Sequence, residues 1–299
     1  MDFEYSDDQQ MLMTAFGGLI ERHRELPIGA HGYVHYSAEL QTELAEAGFA
    51  EIAAQEGFGL LDAALLVEEA AACPASVEFA ATAMIGPLLD GAPSPIAIAY
   101  GLGKPVRFLE QARTVVVING DAVWVGTPDA IRPLHGAPAY PLAVLERMPA
   151  DARALSADLA EVVRHRAQIG LAVEAAGLMR GAVDHTVQYV KEREQFGHPL
   201  GDFQGIQHRL AESAQLARAT RWLAFRAAYH DDATEAATAL LYAQDAARKV
   251  VTDCHQFCGA MGLTLEFPLH LWTYRLKVLQ GEAGGKGAQG AFVAEALWA

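Results

Sequence analysis

The chain has 299 residues, with 22 lysines and arginines against 37 aspartates and glutamates, a formal net charge of −15 and an apolar fraction of 52%. That length supports a substantial core shared by two or three structural units. The acidic balance excludes recognition of nucleic acid or anionic lipid through bulk charge, and no apolar run approaches the ~18 residues of a membrane span.

An anionic ligand of so acidic a chain must be met by local arginines. The first residues, Met1-Asp-Phe-Glu-Tyr-Ser-Asp-Asp, are acidic and do not read as a secretory or mitochondrial leader. With three unpaired cysteines, Cys73, Cys254 and Cys258, they predict a reducing, cytoplasmic setting. Cys254-His255 with Cys258 lacks a fourth ligand at zinc-like spacing, so buried core thiols are expected and no metal site.

Residues 1–90 read as helical. Leu12, Phe16 and Leu19 share one face, and Leu65, Glu68 and Glu69 lie in a second run ahead of an alanine-rich helix. Residues 91–150 differ in kind. The β-branched runs Val115–Ile118 and Val123–Val125 flank Asn119-Gly120, a hairpin signal, and a third run, Leu142–Leu145, follows a loop rich in Pro and Gly. A small antiparallel sheet is expected, with Trp124 packed in it, and no Gly-x-Gly-x-x-Gly loop marks a dinucleotide fold.

Over residues 151–299 helical patterning returns. Ile169, Val173, Ala176, Val183, Val187 and Val190 form one 3.6-period stripe, and breaks fall at Gly197, near His230-Asp-Asp232 and at Gly259. Arg164-His165-Arg166 reads as a solvated basic face, with phosphate contact as the sharper alternative. Gly281 to Gly290 looks like a flexible loop before a short terminal helix.

The helix exit at Arg193-Glu-Gln-Phe-Gly-His-Pro-Leu-Gly carries the most information. One account is an ordinary corner with a solvated arginine. The other is an anion-recognition corner, where Arg193 pairs with phosphate while Gln195 and Phe196 hold a flat ring system.

The wider pattern, Arg193-x-Gln-Phe-Gly-x-Pro-Leu-Gly-x-Phe-Gln-x-x-Gln-His-x-Leu-Ala, resembles the signature of the C-terminal helical domain of acyl-CoA dehydrogenases. Downstream, Gln256-x-x-Gly259-x-x-Gly262-x-x-x-Glu266-x-Pro268 resembles that family's Gln-x-x-Gly-Gly-x-Gly-x-x-x-Glu-x-Pro turn. The resemblance implies a mainly α fold with an N-terminal helical domain, a shortened antiparallel β middle domain and a C-terminal four-helix bundle. It implies FAD as cofactor. Arg193 would meet the pyrophosphate of a neighbouring subunit's FAD with Gln195 and Phe196 beside it, and Gln256, Gly259 and Gly262 would line the adenosine-diphosphate half. Leu44-Ala-Glu-Ala-Gly-Phe and Gln55-Glu-Gly-Phe-Gly resemble the family's N-terminal domain, which lies beside the acyl chain. There Gln55 and Phe58 depart from the usual Pro-Glu-x-x-Gly-Gly loop. His208 matches the family's helix start, as a structural or cofactor-edge residue.

The middle region departs further, because the family's β domain is much longer and supplies the contacts to the flavin ring. The shortened segment implies half a flavin site completed by a larger acyl-CoA dehydrogenase subunit, an α2β2 assembly of the kind that acts on steroid-CoA thioesters. Electron-transferring flavoprotein is the acceptor the resemblance implies.

Oxidising an acyl-CoA to the 2,3-enoyl product needs a base for the C2 proton, and a partly desolvated carboxylate with a raised pKa suits that task. Glu282 falls near the family's base position without its Tyr-Glu-Gly-Thr surroundings. Ala167 stands at the family's alternative position and cannot act as a base. Glu266 is chemically able, but its family counterpart is structural. A base from the partner remains open, as does a non-catalytic partner subunit of the same fold. Arg275 is expected to brace the cofactor turn through a salt bridge.

Overall fold

The structure, a computed structural model, describes residues 4–25, 33–136 and 138–298; the first three residues of the acidic start lie outside these. The described residues open on four helices: α1 (Asp7–Glu21), α2 (Ala38–Glu46), α3 (Leu60–Ala72) and α4 (Ala80–Ile85). Ser6 begins α1 with a capping box, its hydroxyl accepting from Gln9 N–H and the Gln9 side chain returning to Ser6 N–H. The expected face of Leu12, Phe16 and Leu19 is buried, with Ile20 beside it. Helix α3 is apolar around most of its circumference because it lies between α1 and the bundle behind.

Among the described residues, the middle of the chain supplies seven short strands in two sheets. β1 (Ile96–Tyr100), β3 (Thr114–Asn119), β4 (Ala122–Gly126) and β7 (Arg153–Ala154) form one, in the order β1-β3-β4-β7. β2 (Pro105–Arg107), β6 (Leu142–Leu145) and β5 (Ile131–Leu134) form the other. The Asn119-Gly120 signal does make the β3–β4 hairpin, with Asn119 opposite Ala122. Two features differ from a simple antiparallel sheet. β1 and β3 pair in parallel, and the Leu142–Leu145 run joins the second sheet rather than the hairpin. The chain leaves β1, contributes β2 to the other sheet and returns as β3, a route that leaves β1 and β3 pointing the same way.

The rest is helical: α5 (Ala157–Glu192), α6 (Gln204–His230), α7 (Ala233–Cys258), α8 (His270–Leu279) and α9 (Gly285–Trp298). α5 is the axis of the fold. Its 36 residues span about 54 Å, and its central turns are buried nearly all round because α3, α4, α6, α7 and α8 all pack on it. Two glycines make that possible. A Cβ at Gly177 would lie 2.2 Å from the Glu68 carbonyl oxygen of α3, and one at Gly181 would lie 2.3 Å from Trp272 Nε1. Trp272 fills that gap and donates to the Ala72 carbonyl at 2.9 Å, tying α8 to α3.

Two local expectations are revised. The 164–166 cluster is not a solvated face: His165 and Arg166 both bind Asp231, the left-handed residue between α6 and α7, at 2.8 and 2.7 Å. Arg164 donates to the Asp121 carbonyl instead of to solvent. The glycine-rich stretch from Gly281 is mostly helix, because α9 begins at Gly285 and packs along α7. Each glycine opposes helix by about 1 kcal/mol. Anchoring offsets this: Gln289 is buried, accepts from Gln168 and donates to the Ala283 carbonyl, and Lys286 pairs with Asp245 at 2.6 Å. Among the described residues no helix is long and apolar enough to cross a membrane. Cys73, Cys254 and Cys258 are free and buried.

Candidate functional site

The residues singled out in the sequence separate into two places. The first is the far end of the bundle. α5 stops at Glu192 and Arg193 caps it; a two-residue hairpin follows, β8 (Glu194–Gln195) against β9 (His198–Pro199). Its turn residues, Phe196 and Gly197, have φ of +57° and +82°, the paired left-handed geometry of tight hairpins. Glycine takes that conformation readily; phenylalanine does so only under local strain. The ring faces outward. Phe196 is 89% exposed, with Phe203 meeting it edge-on at 6.2 Å.

The second motif arrives at the same end. Val190 of α5, Leu210 of α6 and Phe257 of α7 share one small core, so the exit of α5 and the exit of α7 lie side by side. Gln256 and Gly259 flank Phe257 and are exposed. Gly262 is buried where a Cβ would lie 2.9 Å from that of Cys258, which lets the turn fold back on α7. Phe267 then packs on His185 and Tyr189 of α5. Arg193, Gln195, Phe196, Gln256, Gly259 and Gly262 thus gather at one end of the molecule. Their exposed donors and rings, with Leu263 69% exposed nearby, form a surface rather than a pocket.

Glu282 lies in the second place. Its carboxylate accepts from Arg107 Nε at 2.8 Å, and Arg107 Nη1 donates to both oxygens of Glu174 at 2.8 and 2.9 Å. The Tyr140 hydroxyl donates to Glu174 at 2.7 Å, and the guanidinium lies 4.7 Å from the centre of the Tyr140 ring. The Glu282 turn is fixed from behind: Gln244 donates to the carbonyls of Leu279 and Glu282, both at 3.0 Å. Burial raises the Glu282 carboxyl above its ordinary range, with Arg107 opposing the rise. Burial likewise lifts the Tyr140 hydroxyl, and Glu174 adds to it. On the wall opposite, Glu78 accepts from Thr82 Oγ1 and from the backbone of Ala81 and Ile96, and burial pushes it up to about 7.

This cluster surrounds a cavity of only ≈ 20 Å³, lined by Glu78, Arg107, Phe108, Ala167, Gly170 and Glu282 among others. That is room for about one water. The two positions at which the family resemblance places a base, Glu282 and Ala167, therefore line the same small space, together with Arg107. Neither a flavin ring nor a thioester fits there in this conformation, whereas the corner presents exposed side-chain donors and the exposed rings of Phe196 and Phe203.

The two places are far apart. Arg193 lies 19 positions beyond Glu174 on α5, about 28 Å along the helix. Glu266 belongs to the corner end and is exposed, while Glu282 follows α8, whose 10 residues separate the two glutamates by about 15 Å. Arg275 differs from expectation. It is 3% exposed and makes no salt bridge among the described residues; its guanidinium donates to the carbonyls of Cys73, Pro74, Ala75 and Leu271, bracing the loop after α3 rather than the cofactor turn. His208 is exposed near the start of α6. Sequence reasoning missed Arg107, Glu174, Tyr140 and Glu78. Glu174 had a usable signal, since it is a lone carboxylate in the apolar run Gly170-Leu-Ala-Val-Glu-Ala-Ala-Gly177.

Residues 160–298 match the family profile of the acyl-CoA dehydrogenase C-terminal domain. Acyl-CoA dehydrogenase FadE34 of Mycobacterium tuberculosis is 35% identical over 218 residues, covering 69% of this chain and 28% of that protein. Among solved structures, the ChsE4–ChsE5 complex from Mycobacterium tuberculosis matches with a TM-score of 0.80 at 18% identity, over 99% of both chains. A Tcur3481–Tcur3483 steroid ACAD variant matches at 0.78 and 24%, over 97% of both. The chain belongs to the acyl-CoA dehydrogenase family. It spans only 25 to 36% of the length of the first four curated relatives it matches.

Proposed function

We propose that this chain is one subunit of an FAD-dependent acyl-CoA dehydrogenase that oxidises an acyl-CoA thioester to its 2,3-enoyl-CoA, and that it lends its Arg193 corner to a flavin held mainly by a larger partner subunit. The observation that carries the reading is the separation of the two places. The corner is open and rich in donors, while the space beside Glu282 is filled and lies about 28 Å away along α5. A corner so placed serves a neighbour's site.

In this reading Arg193 pairs with the cofactor's pyrophosphate, Gln195 and Phe196 flank it, and Gln256, Gly259 and Gly262 run along its adenosine-diphosphate half. FAD, when bound, accepts the two electrons of the oxidation, and electron-transferring flavoprotein takes them on. Glu282 is this chain's candidate base and Glu266 the alternative. Arg107 holds Glu282 in an ion pair, which favours a base supplied by the partner. The heteromeric arrangement, α2β2, and a bulky steroid-type acyl group are supported by the fold's likeness to a two-component complex and to a steroid dehydrogenase. The filled cavity also favours a second reading, a non-catalytic partner subunit of the same fold.

The test is to purify the chain alone and together with the product of its neighbouring gene, then record flavin spectra. The proposal expects little flavin on the lone chain and stoichiometric flavin on the complex. Stoichiometric yellow FAD on the lone chain would overturn the shared site. In the complex, Glu282→Gln is expected to leave substrate bleaching of the flavin intact; loss of bleaching would assign the base to Glu282.

A further inference from the structure

A second opening lies between the sheet and the start of α5. It is a cleft of ≈ 280 Å³ lined by the Tyr100–Lys104 turn, the β3–β4 hairpin turn at Asn119-Gly120, and Arg164 and Gln168 of α5. It shares no lining residue with the ≈ 20 Å³ cavity beside Glu282 or with the Arg193 corner. In a chain with a net charge of −15, none of its lining residues is acidic and two are basic. We infer that this cleft is a binding site for a small phosphate-bearing anion, held between Lys104 and Arg164.

The backbone builds the site before any ligand arrives. Gly101 and Gly103, at φ of +88° and +73°, turn the chain tightly enough that Lys104 folds back over Gly101, with Nζ 4.0 Å from where a Cβ would stand there. Side chains larger than glycine resist that conformation. Lys104 has no ion-pair partner among the described residues. Across the cleft, Arg164 is placed by donating to the Asp121 carbonyl. The Asp121 carboxylate also pairs with Arg164 at 3.7 Å, but it is wholly exposed, so an anion in the cleft can displace it at little cost in stability. Arginine has five donors, and the remaining ones are available to a ligand.

The donor set decides the ligand class. Tyr100 contributes to the cleft wall, while its hydroxyl is buried without a hydrogen-bond partner among the charges of Glu282, Arg107 and Glu174 and is not offered to the cleft. The Asn119 amide adds a further donor. An ammonium and a guanidinium on opposite sides of the cleft match a multiply charged oxyanion better than a flat, singly charged carboxylate. The volume approaches the ~300 Å³ at which small-molecule pockets begin, so an organic phosphate fits as well as a bare ion, with Ile118 as apolar wall. Behind Tyr100, Glu282 and Glu174 share the single guanidinium of Arg107, so the ligand's charge must be met by Lys104 and Arg164 themselves.

The experiment is calorimetric titration of the full chain with inorganic phosphate, pyrophosphate and acetate at constant ionic strength set with chloride. One-to-one saturable binding of phosphate or pyrophosphate is expected. It should weaken roughly tenfold or more in both Lys104→Gln and Arg164→Gln, the size of losing one charged hydrogen bond. Arg193→Gln should leave it unchanged, which separates this cleft from the corner. Lys104 is exposed and unpaired, so its variant should melt with the parent and report on binding alone. The inference is overturned by no saturable binding, by acetate binding as well as phosphate, or by loss of binding in Arg193→Gln with Lys104→Gln unaffected.

Discussion

The Arg107 cluster and the Arg193 corner are both built around an arginine on or beside α5, yet they use it in opposite ways. At the cluster the guanidinium is enclosed by Glu174, Glu282 and the Tyr140 ring, and every charge has its partner inside the fold. At the corner Arg193 is exposed, and a phenylalanine is held in a left-handed turn with 89% of its surface in solvent. A satisfied buried network specifies a conformation; an exposed, strained surface leaves its donors and ring free for a ligand or partner. The difference teaches that a family motif and a family active-site position in one chain need not serve the same active site.

The strongest way to break the comparison is to remove the buried arginine. Arg107→Ala leaves Glu174 and Glu282 enclosed without a counter-charge and is expected to cost about 3–5 kcal/mol of stability, read by denaturant titration. Flavin content of the assembled complex should persist wherever the variant folds. Flavin lost at full stability would place the cofactor in the cluster after all.

The same region should show a pH signature. Glu78, pushed to about 7 from an ordinary 4.5, keeps its proton where the unfolded chain has released it. The native state then binds more protons, so stability is highest at the acid end of this window. It falls as pH rises from about 4.5 through about 7, by a total on the order of 3 kcal/mol. Glu78→Gln should flatten that slope, and an unchanged slope would assign it to other groups.

At the corner the effects should move from stability to binding. Arg193→Ala is expected to weaken flavin retention in the complex by about 10- to 100-fold, the size of one charge-assisted hydrogen-bond pair, with the melting temperature unchanged. Phe196→Asn is the mildest: asparagine tolerates the left-handed region, so stability should shift by no more than about 0.5 kcal/mol. Flavin release from the complex should nonetheless quicken. A large loss of stability in either variant would show that the corner is structural.

The two halves of the corner are legible in the amino-acid sequence. Arg193 to Gly201 and Gln256 to Pro268 are contiguous segments, and their glycines and prolines write the turns directly into the chain. The helical stripe of α5 is legible for the same reason, since Ile169, Val173, Ala176, Val183 and Val190 are all buried. The Gly281–Gly290 stretch misleads because glycine reports local propensity, whereas packing on α7 sets the outcome. The 164–166 cluster misleads because Asp231 is 65 positions from Arg166 in the chain.

By itself, then, the sequence determined the family, the mainly helical class and the two motifs of the corner, because each rests on neighbours along the chain. Only the tertiary structure decided that Glu282 is tied to Arg107, 175 positions away, that Glu174 completes the enclosure, and that little more than a water's volume remains beside them. Buried charge networks depend on which distant groups the fold brings within 3 Å, and no local pattern records that distance.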